Sequence, residues 1–119
     1  VVVLEHLVVN GKSVVKVGFT GAGVVGGSVA DGNYTLTIVG QKVKDKASLA
    51  PMNGDQTVNF FRFFGDIDGD RDVDISDLLK FRQALGVQYN SAFDYDGDGD
   101  IDMADRQQFL TRYGRRLNP

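Results

Sequence analysis

The chain has 119 residues but no cysteine, no tryptophan, two prolines and one histidine. Without cysteine there is neither a disulfide framework nor a thiolate metal site. One histidine without cysteine also falls short of the nitrogen and sulfur ligands that a structural zinc site requires. No run of the sequence approaches the ~20 apolar residues of a membrane-spanning helix, so insertion into a bilayer is not expected. There is no signal peptide and no initiator methionine, so Val1 reads as an internal start, from processing or from excision out of a longer protein. No nucleophile–base constellation is present, and the chain is not expected to be an enzyme.

What is present is a hydrophobic fraction of 42%, enough for a folded state. The net charge of −3 hides a strong pattern. Twelve of the sixteen acidic residues fall in two windows, 66–77 and 94–105, leaving only Glu5, Asp31, Asp45 and Asp55 outside. Twelve of the thirteen basic residues lie outside those windows, the exception being Arg71. The mildly acidic balance therefore reports two concentrated carboxylate clusters that need cations, and nucleic acid is not an expected partner.

Residues 1–64 read as all-β, rich in Val, Thr, Phe and Gly with frequent turn signals. Val1–Val9 and Val14–Phe19 are expected strands joined at Asn10-Gly11, a pair suited to a hairpin turn with two positive φ angles. Thr20–Gly27 holds four glycines and reads as a loop, with a short strand expected over Val24–Val29. Tyr34–Val39 and Thr57–Phe64 are further expected strands, separated by a polar connection over 41–56. Of Phe60, Phe61, Phe63 and Phe64, alternation sends one pair into a sandwich core and the other onto the C-terminal segment. Lys42, Lys44 and Lys46 alternate as a solvated strand edge would.

Near Gly65 the character changes. Residues 66–86 align with 94–114 at a shift of 28, with nine of 21 positions identical and six of those aspartates. A repeat this regular is an architectural unit. Each copy is an acidic loop followed by a helix. Asp77 and Asp105 stand at the helix starts, where carboxylates meet free N–H groups, and Gly86 and Gly114 stand at the expected stops.

The spacing within each loop is that of calcium ligands. Calcium takes six to eight oxygens, and a twelve-residue loop supplies them from positions one, three, five, seven, nine and twelve. In the first loop these are Asp66, Asp68, Asp70, Asp72 (by its carbonyl), Asp74 (through a water) and Asp77. In the second they are Asp94, Asp96, Asp98, Asp100 (carbonyl), Asp102 (through a water) and Asp105. Position eight, Val73 and Ile101, is expected to pair the loops as a minimal β-bridge. Position six requires positive φ, which Gly99 adopts freely and Arg71 only with strain on the order of 1 kcal/mol. Two calcium ions are therefore the expected cofactors. Magnesium prefers tighter octahedral sites and retains more of its water.

A terminal Asp instead of Glu, and a loop-plus-exit-helix unit repeated without a helix before the first loop, resembles the dockerin module. The resemblance spans 66–114. It implies two bound calcium ions, folding coupled to their binding, and docking to a cohesin-like protein partner. By the same resemblance, partner contacts fall on Ile75, Ser76, Arg82 and Gln83 in the first copy, and on Met103, Ala104, Leu110 and Thr111 in the second. The copies differ at these positions, so a symmetric docking face is not expected. For Ile75 and Met103, packing at the loop–helix junction is an equal alternative. Residues 1–64 resemble bacterial immunoglobulin-like domains, with Asp31-Gly32-Asn33-Tyr34 similar to the turn into a tyrosine corner.

The resulting expectation is an α+β chain: an antiparallel, immunoglobulin-like β-sandwich over 1–64, incomplete at its start, and a dockerin-like module over 65–119. It is expected to be a monomer, extracellular or at the cell surface, in a setting of polysaccharide breakdown. A calcium-stiffened structural module without a cohesin partner, or the non-catalytic tail of a polysaccharide-degrading enzyme, are the alternatives. The aspartates do not read as a glycosidase pair, because regular loop spacing already accounts for them. Gly21–Gly27 lacks the helix and acidic residue of a dinucleotide-binding motif. His6 reads as a core or edge residue of a strand.

Overall fold

The structure is a computed structural model and describes residues 1–85 and 88–119. Along the chain run β1 (Val2–Val9), β2 (Lys12–Phe19), β3 (Gly32–Ile38), a 3-10 turn (Gly40–Lys42), β4 (Gln56–Arg62), α1 (Ile75–Ala84) and α2 (Met103–Arg112). The class is α+β. Of the expected β-sandwich, the described residues show two separate antiparallel pairs, β1–β2 and β3–β4. The chain divides into two compact units: Val1–Asp31 with Phe63–Asn118, and Gly32–Arg62 with Pro119. No described helix is long and apolar enough to cross a membrane.

In the first unit, Asn10 (φ 52°) and Gly11 (φ 75°) turn the β1–β2 hairpin, as an Asn-Gly pair favours. His6 is exposed on β1 opposite Val15. The strand expected over 24–29 does not form. Only Val25 and Ser28 pair, because Gly23, Gly26 and Gly27 take positive φ and break the extended run.

In the second unit, Tyr34 lies opposite Phe60 and stacks on it at 5.4 Å between ring centroids. Lys42, Lys44 and Lys46 do not lie along a strand edge. Lys42 is in the 3-10 turn, and Lys44 makes an isolated bridge to Pro51.

The core belongs to the C-terminal segment. Phe64, Val73, Phe81, Ala84, Phe93 and Phe109 are buried, with Ile67, Leu78, Tyr95 and Ile101 packed against them. Each fully buried aromatic contributes about 1.5–3 kcal/mol through area removed from water. Because β4 ends at Arg62, alternation does not govern the last two phenylalanines: Phe64 is buried in this core and Phe63 packs on it. Phe81 and Phe109 occupy equivalent positions of the repeat and meet as a stacked pair at 4.6 Å. Phe93 packs edge-on against both, at 5.2 and 6.2 Å. Beyond the twelve-residue loops, the one non-glycine identity of the repeat thus becomes the contact that joins its two copies. Gly114 (φ 76°) ends α2 as expected; Gly86 lies outside the described residues.

Candidate metal centre

The two acidic loops share one hydrogen-bonding scheme. Position one is a hub. Asp66 accepts from the N–H groups of Gly69 (2.7 Å) and Arg71 (2.9 Å), and Asp94 from those of Gly97 (2.7 Å) and Gly99 (3.0 Å). Position five turns the chain: Asp70 accepts from Asp72 N–H at 3.0 Å, and Asp98 from Asp100 N–H at 3.1 Å. Position nine caps the helix, Asp74 for α1 and Asp102 for α2. Position twelve closes the loop. Asp77 accepts from Ile67 and Asp74 N–H, both at 2.8 Å; Asp105 accepts from Tyr95 at 2.6 Å and Asp102 at 2.8 Å. Reciprocal bonding of positions nine and twelve is a capping box built from two aspartates. It explains how Asp77 and Asp105 are buried, at 0% and 1% exposure. A buried carboxylate is costly unless hydrogen-bonded.

These bonds gather the carboxylates. Ligand oxygens lie within 4.8 Å of one another in Asp66–Asp68–Asp70, in Asp72–Asp74–Asp77, in Asp94–Asp96–Asp105 and in Asp100–Asp102–Asp105. Of the twelve aspartates singled out in the sequence, eleven fall in these groups. Asp98 does not, although it accepts from Asp100 N–H just as Asp70 accepts from Asp72 N–H. In the second loop Asp105 joins both groups, whereas Asp77 belongs to one. Asp72 Oδ1 is buried and takes no hydrogen bond, while its Oδ2 lies 3.8 Å from the Arg116 guanidinium. An all-oxygen, strongly anionic donor set with an unpartnered buried carboxylate oxygen fits a hard divalent cation, calcium above others.

The electrostatics agree with that demand. Desolvation by the surrounding loop, then the Asp70 and Asp77 carboxylates, hold Asp68 above the ordinary carboxylate range. Desolvation, then Asp98 and Asp105, do the same to Asp96. Asp72 is raised by partial burial and by Asp70; Asp100 is raised first by Asp98. Asp94 runs the other way. Partial burial pushes it up, but the Tyr89 hydroxyl and the Gly99 and Gly97 N–H groups outweigh this and hold it low.

Three features distinguish the loops. Arg71 adopts φ 75° where Gly99 has φ 97°, so the first loop makes its sixth-position turn with a side chain in the left-handed region. The Tyr89 hydroxyl donates to Asp94 Oδ2 at 2.7 Å, whereas Phe61, 28 residues earlier, has no hydroxyl to offer Asp66. The third corrects an expectation: Val73 does not pair with Ile101. Its N–H donates to the Arg115 carbonyl at 3.1 Å and its carbonyl accepts from Gly114 N–H at 2.7 Å. Leu117 N–H also reaches the Arg71 carbonyl at 2.8 Å, so the C-terminal tail occupies the first loop's bridging edge. Ile101 packs against the core instead.

The docking candidates divide among several surfaces. Met103, Ala104, Leu110 and Thr111 line one hollow of about 660 Å³ on α2, together with Arg106 and Gln107. Met103 is 67% exposed and Ile75 55%, so neither is consumed by packing at its junction. Arg82 shares a groove between the helices with Leu110. Gln83 lines a different hollow, with Lys80 and Tyr89. Ser76 N–H is taken by Asp74, and the Thr111 hydroxyl donates to the Gln108 carbonyl at 2.7 Å. Two site-related contacts escape the sequence reading: Tyr89 to Asp94, and Arg112 to Asp31. The one available cue was that Asp31 is among only four acids outside the loops.

No curated protein and no solved structure matches the chain. Residues 64–113, which carry both loops and both helices, match the family model of the dockerin type I domain, a calcium-binding, non-catalytic docking module whose general partners are cohesins.

Proposed function

We propose that this chain is the calcium-binding docking segment of a secreted or cell-surface protein, holding its parent to a cohesin-like partner. The observation that carries the proposal is the matched pair of acidic loops, bonded position for position and each leading into a capped helix. The twelve loop aspartates are the proposed ligand set: carboxylates at positions one, three, five and twelve, carbonyls of Asp72 and Asp100, and water-bridged Asp74 and Asp102. The bridge bonds at the first loop's edge come from Arg71 and Val73, on either side of Asp72, and do not use the Asp72 carbonyl. Bound calcium supplies the positive charge that each cluster lacks. Asp77 and Asp105 then tie loop closure to helix capping, so a closed loop sets the helix that follows.

The exposed apolar hollow on α2, with Met103 and Leu110, is the proposed partner surface; exposed apolar patches rimmed by polar residues mark such interaction sites. The immunoglobulin-like character of the β portion and the monomeric state belong to the same proposal. Titration calorimetry with calcium should give two ions per chain, and helical circular dichroism should fall with chelator. Pull-down on cohesin domains should retain the calcium-loaded protein and release it with chelator. Calcium binding without any cohesin retention would favour the structural-module reading, and absence of calcium binding would end both.

A further inference from the structure

Outside the metal loops, one cluster joins residues distant in sequence. The Arg112 Nε, at the last turn of α2, bonds Asp31 Oδ2, with the two side chains only 14% and 21% exposed. Asp31 Oδ1 accepts from Phe64 N–H at 2.9 Å. The guanidinium lies over two rings, Phe64 at 5.4 Å and Tyr95 at 5.2 Å, and those rings meet edge-on at 5.0 Å. Its Nη1 also donates to the Gln108 carbonyl at 2.8 Å. Five residues upstream of Asp31, Gly26 (φ 56°) sits against the second loop so closely that a Cβ there would stand 2.6 Å from the Tyr95 carbonyl oxygen. Gly97 would meet Gly26 Cα at 2.7 Å.

From this geometry we infer that Asp31 and Arg112 form a latch that couples docking of the Gly21–Asp31 segment to calcium occupancy of the second loop. The inference rests on the calcium reading above. Tyr95, one wall of the guanidinium slot, is position two of that loop, and its N–H is held by Asp105. Arg112 ends the helix that Asp102 and Asp105 start. When the loop opens, the Tyr95 wall and the start of α2 loosen together, and Asp31 loses its partner. By linkage the reverse also holds: a docked segment favours the closed, calcium-competent loop. The first loop has Ala84 at the position equivalent to Arg112, so the latch acts on one site only.

The test is hydrogen exchange over 20–31 with and without calcium, alongside calcium calorimetry, on the whole chain and on Asp31→Asn and Arg112→Lys. Calcium should slow exchange over 20–31 in the native sequence. Either variant should weaken one of the two sites by on the order of fivefold, and the double variant should lose no more than either single. Two bound ions with unchanged exchange over 20–31, or additive losses in the double variant, would overturn the latch while leaving the calcium reading intact. No calcium heat at all would instead sink the calcium reading itself. A variant too unstable to load calcium is separated from a decoupled one by its far-UV spectrum, and the exchange comparison in the native sequence decides without it.

Discussion

The first acidic loop and the second are built on one plan and finished differently. Both use the first-position carboxylate as a hub, the fifth to turn the chain and the twelfth to clamp it. The first closes over an arginine in the left-handed region and is edged by the C-terminal tail. The second closes over a glycine, takes a tyrosine hydroxyl on its first ligand, and leans on Gly26 from the N-terminal segment. Before each loop the copies also part: Phe93 has Gly65 as its counterpart. A Cβ on Gly65 would stand 3.0 Å from Phe109, so one copy supplies a ring where the other must supply space. A duplicated unit keeps the chemistry common to both sites and spends its differences on joining them to the rest of the chain.

The largest loss is expected at the element both copies share. Phe109 is fully buried and stacks on Phe81, so Phe109→Ala should cost about 3–5 kcal/mol by chemical denaturation and weaken both sites together. Next, Asp66→Ala and Asp94→Ala should each remove one site, lowering calcium stoichiometry to one. The loss at the altered site should be on the order of a hundredfold or more, since two N–H groups lose their acceptor along with the ligand.

Arg71→Gly should make the two loops more alike. Relief of about 1 kcal/mol of left-handed strain should tighten the first site roughly fivefold in calorimetry and leave the second unchanged. Tyr89→Phe removes the hydroxyl on Asp94 and should weaken the second site alone, by a factor of about ten or less. The smallest effect expected is that of acid on the calcium-free chain. Asp68, Asp72, Asp96 and Asp100 are held above the unfolded carboxylate value, so the folded state binds more protons than the unfolded state just above that range. The calcium-free protein should therefore gain stability as pH falls into that window, while calcium affinity falls through it; Asp94, held low, acts in the opposite sense. Thermal melts with chelator across mildly acidic pH would show a slope of the wrong sign if the loops did not crowd their carboxylates.

Much of this was legible in the chain, for local reasons. A 28-residue period, aspartates at alternate positions and a carboxylate at each helix start specify loops, turns and caps through contacts that span at most ten or so residues. Asn10-Gly11 specified its hairpin in the same way. Where a reading depended on continuation it failed. The Val24–Val29 strand dissolved among glycines, and the Phe60–Phe64 alternation ended with β4 at Arg62.

The sequence by itself therefore determined where oxygen donors gather, how each loop turns and what starts the helix after it, because backbone geometry and neighbouring side chains settle those at short range. Tertiary structure alone decided that Val73 pairs with the C-terminal tail and not with Ile101, that Phe63 and Phe64 join the core of the calcium segment, and that Arg112 finds Asp31 across 81 residues. Such contacts are chosen by which surfaces remain to be covered once the local units exist. That choice depends on the whole packed chain, and no window of sequence contains it.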